Sequence, residues 1–365
     1  MTTAVSFLIL IGVLIFIHEL GHFIVAKAFN IKVTKFSLGF GPKLLSKKIG
    51  ETEYILALLP LGGYVKLEGE NPADIISEED KKRSFSHQSV GKKALVVAAG
   101  PFFNFALAVL IFAGVYLAGI PVPTAEIGKI AQDSPAQVAG VRVGDSIVGI
   151  DDKKITAWDD VVAAITQADG SPMRIVLSRG DKTEITTITP KKEATRNVFG
   201  EETFIFRMGI TPTDKVIVKR YNPFIAVWKG ADKVVAVTQL TLLGIAKIFQ
   251  GVVSPAESLG GPLAIAQMAG TQAKAGVLPF LLLMAFLSIN LGIINLFPLP
   301  VLDGGHLLFY AIEAISGRPL HPRVMEMAHK IGFILLVALM VYVVFIDLNR
   351  ANVNIADNLS RIFGK

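Results

Sequence analysis

The 365-residue chain has a net charge of +6, 52% hydrophobic residues, 18% charged residues and no cysteine, with a mean hydropathy of +0.55. Soluble domains carry about a quarter charged residues, so this composition excludes an intrinsically disordered chain and a disulfide scaffold. Without cysteine, any zinc site must be built from histidine and carboxylates.

Residues 1–30 hold the first of four apolar stretches that approach bilayer length, over about 4–26. It lacks a positive leading region and an evident small-residue cleavage site, so it reads as a retained transmembrane helix and not a signal peptide. His18, Glu19 and His22 interrupt it as an H-E-x-x-H motif. Residues four apart share a helix face, so both imidazoles can reach one Zn2+ ion. Glu19 sits beside them as the candidate catalytic base for a zinc-activated water. Ionisable groups at the membrane centre cost at least about 2.5–3.5 kcal/mol each, and a bound dication compensates three of them. The bland alternative is a pair of helix histidines satisfied by hydrogen bonds.

Residues 31–93 are expected to form a membrane-associated β region and a loop. Ile31, Val33 and Phe36, then Tyr54, Leu56 and Leu58, have strand-like spacing, with Gly39, Gly41, Pro42 and Gly50 as breaks. Residues 70–86 read as an exposed polar loop. The second apolar stretch occupies 94–120, where Gly100-Pro101-Phe-Phe-Asn104 reads as a helix-entry pattern.

Residues 121–215 read as a compact module. Ser134-Pro135 gives an N-cap and a first-turn proline, and Gly140 closes that short helix. Thr156 and Asp159 suggest a capped helix to about Ala168, and a hairpin turns at Gly180-Asp181. This order of elements, with Ser134-Pro-Ala and Gly144-Asp145-Ser-Ile, resembles a PDZ domain, a module that binds peptides by strand addition. Only one copy is evident. Residues 216–278 are mixed; within them Ala231–Val253 reads as an amphipathic helix on the membrane surface, with a fifth span as the alternative.

The third apolar stretch lies within 279–305 and ends in Pro298 and Pro300. Catalytic zinc takes three protein ligands, and Asp303, just beyond that break, is the best remote candidate. Its alternative role is a pure N-cap of the next helix; His306 is the rival ligand. Asn290, Asn295 and Asn104 are polar residues in apolar helices and are candidate substrate-binding residues, with helix-packing hydrogen bonds as the alternative. His87, His321 and His329 are expected in loops. Residues 306–330 form a basic loop, 331–350 the fourth span and 351–365 a tail.

The charges fix an orientation. Residues 1–26 contain no Lys or Arg, whereas 27–93 contain 12 basic against 8 acidic residues, and 120–275 are nearly balanced with 18 against 16. This is a membrane pattern with no nucleic-acid partner, placing 27–93 and 306–330 in the cytoplasm and the PDZ-like module outside it. The fold class expected is therefore a polytopic α-helical membrane protein of about four transmembrane helices. It adds a membrane-associated β-hairpin sheet and an extracytoplasmic PDZ-like α/β domain.

Taken together, His18-Glu19-Leu-Gly-His22, Pro60-Leu-Gly-Gly-Tyr64-Val, Gly100-Pro101-Phe-Phe-Asn104, the PDZ-like module and Asn295…Leu302-Asp303-Gly-Gly-His resemble the site-2 protease family of intramembrane zinc metalloproteases. The resemblance implies that His18, His22 and Asp303 hold Zn2+ and that Glu19 activates water. It associates Asn290 and Asn295 with substrate engagement. It also implies cleavage of transmembrane segments of single-pass substrates, such as anti-sigma factors and remnant signal peptides. The setting implied is the bacterial inner membrane, in contact with lipid, with the PDZ-like domain on the periplasmic side. The branch of the family that regulates sigma-E often carries two PDZ modules in tandem, and this chain departs from that pattern. The rival readings are a metal transporter and an inactive PDZ-bearing membrane scaffold.

Overall fold

The computed structural model describes residues 2–70, 76–255 and 260–350, without the side chains of residues 60 and 61. The expected tail 351–365 lies outside the described residues. The chain divides into two compact units, one of residues 1–113 with 227–365 and one of residues 114–226.

In the first unit, α1 (Thr2–Ala28) is 27 residues long, which gives about 40 Å of helix at 1.5 Å per residue. Among the described residues, four helices are long and apolar enough to cross a membrane: α1, α2 (Val90–Ala118), Val277–Asn295 and Pro322–Arg350. Among the described residues α5 (Pro223–Phe249) is not one of these four. Its charges at Lys229, Asp232, Lys233 and Lys247 keep it from a spanning hydropathy.

Between α1 and α2 lie β1 (Val33–Ile49) and β2 (Thr52–Leu67). They form more than a simple hairpin. Val33–Leu38 pairs antiparallel with Gly63–Leu67, and Lys43–Ile49 pairs with Thr52–Ala57. Lys35–Leu38 also runs beside Glu53–Leu56 in same-direction register, so the two long strands fold into a small four-stranded sheet. Gly39, at φ 89°, turns this corner, where a Cβ would stand 2.6 Å from the Leu59 carbonyl oxygen. Ala26, Ile31, Val33, Leu67, Phe85, Val96 and Tyr310 form one buried cluster, which fastens the sheet to the end of α1 and to α2.

The remaining helices of this unit are α6 (Pro262–Ala275), α7 (Val277–Asn295), α8 (Asp303–Ser316) and α9 (Pro322–Arg350). Asp347, 3% exposed, accepts backbone N–H bonds from Gly261, Leu263 and Ala264 at 3.0–3.2 Å, and so holds the start of α6 to α9. Lys93 of α2 pairs with Glu313 of α8 at 3.0 Å. Three expectations change here. The Gly100-Pro101 segment lies inside α2 and not at its entry, because the helix begins at Val90. His329 belongs to α9 and not to a loop. Leu302, not Asp303, is the N-cap of α8, and it caps without a side-chain bond.

The second unit is built from short strands around two helices. β3 (Ile120–Pro123) pairs with β12 (Val216–Lys219), and β4 (Ile127–Ile130) with β11 (Ile210–Pro212). β5 (Ser146–Ile150), β6 (Lys153–Lys154), β7 (Met173–Arg179) and β8 (Lys182–Ile188) form a sheet in the order β6-β5-β7-β8. β9 (Lys191–Arg196) and β10 (Glu202–Arg207) make a separate hairpin. Helices α3 (Pro135–Val138) and α4 (Trp158–Gln167) complete the unit's short elements. Ile127, Ile147, Val161, Ile175 and Met208 pack in its core. Ser134 caps α3 as expected, accepting from the Gln137 N–H. The start of α4 is closed by Asp160 and not Asp159: its carboxylate accepts from the backbone N–H of Thr156 and Ala157.

Asp145 anchors this unit. Its carboxylate, 1% exposed, takes a two-pronged contact from Arg179 at 2.7 Å and a backbone N–H from Arg142. The Arg179 guanidinium holds the Asp145 carboxyl below the usual carboxylate range. A depressed folded-state pKa contributes stability above the unfolded value of about 3.9, and that contribution is lost as pH falls through the folded value. Asp145→Asn should therefore lower stability by about 1–3 kcal/mol at pH 7, with the deficit shrinking in acid. Thermal unfolding of the full chain against pH checks this; a deficit independent of pH would contradict it.

Candidate metal centre

The centre is assembled from both ends of the chain. On α1 the i, i+4 spacing sets the imidazoles of His18 and His22 edge to face, with ring centroids 4.9 Å apart. Their Nε2 atoms are 3.3 Å apart. The first residue of α8 brings Asp303 Oδ2 to 3.2 Å from His18 Nε2 and 3.6 Å from His22 Nε2. Gly304 and Gly305 make that approach possible: a Cβ on either would lie 2.3 Å from carbonyl oxygens of the 296–299 segment folded over the helix start. Asp303 thus spends its carboxylate on the histidines, not on its own helix terminus.

These atoms fit a cation. Zinc bonds of about 2.0–2.1 Å in a tetrahedron put neighbouring ligand atoms about 3.3–3.4 Å apart, and the three separations straddle that value. Asp303 Oδ2 is buried and has no hydrogen-bond donor of its own. His22 Nδ1 donates to the Val96 carbonyl at 2.9 Å, which turns Nε2 toward the carboxylate. Buried lone pairs facing one another repel unless a positive charge joins them. Among the described residues, His18, His22 and Asp303 are the one group of three such side chains able to hold a metal ion.

Helix α2 forms the floor under the rings. A Cβ on Gly100 would stand 2.3 Å from His22 Nε2 and 2.9 Å from His18 Cε1, and one on Gly21 would stand 2.4 Å from the Ala99 carbonyl oxygen. The two glycines allow α1 and α2 to touch backbone to backbone, as small residues do between membrane helices. Pro101 follows at once and has no N–H to offer the Val97 carbonyl.

A cavity of about 1070 Å³ opens on the centre, lined by His18, Glu19, His22 and Asp303. Asn295 lies on its wall, as do His306, Tyr310, His329, Glu70 and the strand residues Gly63 to Val65. Glu19 therefore faces the same space as the three ligand atoms, with its Cγ 3.0 Å from where a Cβ of Gly63 would lie. Asn290 and Asn104 do not line the cavity. His306 lines it but is not one of the converging atoms; its ring packs on His329 at 5.1 Å and on Phe309 at 6.2 Å. Sequence reasoning missed Gly100, the Val96 carbonyl and His329. The glycine left a signal, since Gly100 in an otherwise apolar helix marks a close approach, but nothing local identifies what approaches it.

Residues 6–339 match the profile of Peptidase family M50. The chain belongs to that family. A putative zinc metalloprotease of Rhizobium meliloti is 36% identical over 362 residues, covering 95% of this chain and 96% of the relative. The regulator of sigma-E protease RseP of Escherichia coli is 31% identical over 443 aligned positions, covering 94% of this chain and 98% of the relative. That alignment runs longer than the chain, so the relative carries inserted segments. A PDZ domain of an SdrC-like protein from Listeria monocytogenes matches 26% of this chain and 95% of its own length, at 22% identity and a TM-score of 0.19. The chain is a metalloprotease with Zn2+ as its cofactor.

Gly100→Ala places a methyl group inside the imidazole positions. Purified protein carrying it should bind zinc at least 10-fold more weakly than wild type, read by metal analysis after dialysis against a graded chelator. Unchanged zinc content would show that the rings do not rest on α2.

Proposed function

We propose that this chain is a multi-pass inner-membrane zinc endopeptidase that cuts transmembrane segments of single-pass membrane proteins. The observation that carries the reading is the meeting of His18 Nε2, His22 Nε2 and Asp303 Oδ2 within 3.2–3.6 Å, on the wall of a cavity that also contains Glu19. In this reading His18, His22 and Asp303 hold the metal. Zinc held there supplies Lewis acidity, polarising a carbonyl and lowering the pKa of water toward about 7.

The rest falls to the protein. Glu19 takes the proton of the attacking water and returns one to the leaving amine nitrogen. A substrate helix hides its carbonyls in hydrogen bonds, so it must be drawn out into an extended form before attack. The strand Gly63–Leu67 suits that task. It pairs with Val33–Leu38 along one edge, its other edge carries no strand among the described residues, and Gly63 to Val65 line the cavity. An extended segment added to that edge would pass the metal centre. Asn295, on the same wall, is placed to bond the unwound backbone; Asn290 lies earlier on α7, off the cavity wall.

Charge supports an orientation with 27–93 and 306–330 in the cytoplasm and the PDZ-like unit in the periplasm, where it would screen substrates by size. Relatives named as regulators of sigma-E support anti-sigma factor-like substrates, and remnant signal peptides fit the same chemistry. Metal transport and inactive scaffolding draw no support from membership of a peptidase family.

Glu19→Gln keeps the shape of the site and removes the base. It should retain one zinc per chain and lose about 10²–10⁴-fold in cleavage of a tagged single-pass substrate in detergent or liposomes. Undiminished cleavage would remove Glu19 from the mechanism.

A further inference from the structure

Asn104 is fully buried in α2, off the cavity, at 0% exposure. Its side-chain nitrogen stands 2.9 Å from His18 Nδ1, while its side-chain oxygen is buried with no partner. Its backbone carbonyl accepts from the Ser288 hydroxyl at 2.7 Å, and Ser288 is likewise at 0% exposure on α7.

Proton bookkeeping decides how this amide must stand. A neutral imidazole that gives its Nε2 lone pair to a metal carries its proton on Nδ1, and is a donor there. An amide NH2 is also a donor, so two donors would face each other at 2.9 Å. The oxygen and nitrogen of an asparagine amide have nearly the same shape, and only the hydrogen-bond network tells them apart. Turning the amide over places its oxygen on the imidazole N–H and converts a clash of donors into a bond.

We propose that Asn104 is a positioning residue of the metal centre: its side-chain oxygen accepts the His18 Nδ1 proton, which fixes the tautomer and ring angle that present Nε2 to the metal. This inference rests on the metal-centre reading above. The two histidines are then held alike from α2, His22 by a backbone carbonyl and His18 by a side chain. Only the second hold can be removed by substitution. Because the acceptor is an amide and not a carboxylate, it orients the ring without adding negative charge beside Asp303 and Glu19, and so leaves the metal more acidic. Ser288 secures α2 against α7 at the same residue, so the orientation of a metal ligand on α1 depends on the packing of a third helix. Asn104 thereby leaves the group of residues expected to touch substrate.

The test uses the full-length purified protein with zinc and with cobalt(II) in its place. Asn104→Leu should weaken zinc binding about 10–100-fold in chelator competition and change the visible absorption of the cobalt form. The thermal unfolding of metal-free Asn104→Leu should match that of metal-free wild type, which a purely structural residue would not allow. Asn104→Asp restores an acceptor and should bind zinc at least as tightly as wild type. Wild-type affinity and cobalt spectra in both variants would overturn the assignment of Asn104 alone. A wild-type protein that binds no zinc would overturn the metal centre itself.

Discussion

Two imidazole nitrogens and one carboxylate oxygen that converge in a buried place are the constraint on which the structure depends. They lie within 3.2–3.6 Å of each other. In water such a cluster would disperse. In the low-dielectric interior of a helix bundle, one metal ion can join all three atoms. The rest of the first unit can be understood as the means of delivering these groups to one point. Helix α1 brings two of them by its own periodicity. The break after α7 brings the third across a sequence separation of nearly the whole chain, because residues 296–302 leave the helix and fold over a start of α8 that contains two glycines.

The second helix links the geometry to the chemistry. Gly100 removes the side chain that would occupy the position of the rings, the Val96 carbonyl orients one ring, and Asn104 lies behind the other. These three positions fall on successive turns of one face, four residues apart. Gly21 and Gly100 let the two helices meet backbone to backbone. The same close contact that packs α1 against α2 therefore sets the angle of the two imidazoles. The strand Gly63–Leu67 then walls the cavity beside Glu19, which places a strand edge next to that carboxylate.

Much of this was legible in the sequence, for identifiable reasons. His18, Glu19 and His22 show themselves because a helix repeat turns spacing directly into a shared face, and because charges in an apolar stretch need compensation. Asp303 was legible from the proline break and the need for a third ligand, but its place relative to its own helix was not. A cap by Asp303 was the alternative; the carboxylate instead faces the histidines and Leu302 takes the capping position. The four-stranded sheet was read as a hairpin because same-direction pairing of Lys35–Leu38 with Glu53–Leu56 leaves no periodicity to detect. In α4 the choice between Asp159 and Asp160 turned on one residue of register, which propensity does not resolve. His329 looked like a loop residue because the apolar run begins after it, yet α9 starts at Pro322 and carries it to the ring of His306. Two misses, Asp160 in α4 and Leu302 at the start of α8, turn on one residue of local register, whereas the sheet pairing and the His306–His329 contact join partners that only the fold brings together.

X-ray absorption at the zinc edge of the purified full-length protein tests the central claim most directly. The account predicts a first shell of nitrogen and oxygen at about 2.0–2.1 Å, with the scattering signature of two imidazoles in wild type. Asp303→Asn should disturb that shell. Three imidazoles in the wild-type shell would move the third ligand from Asp303 to another histidine, and a shell containing none would show that the ion does not sit between His18 and His22.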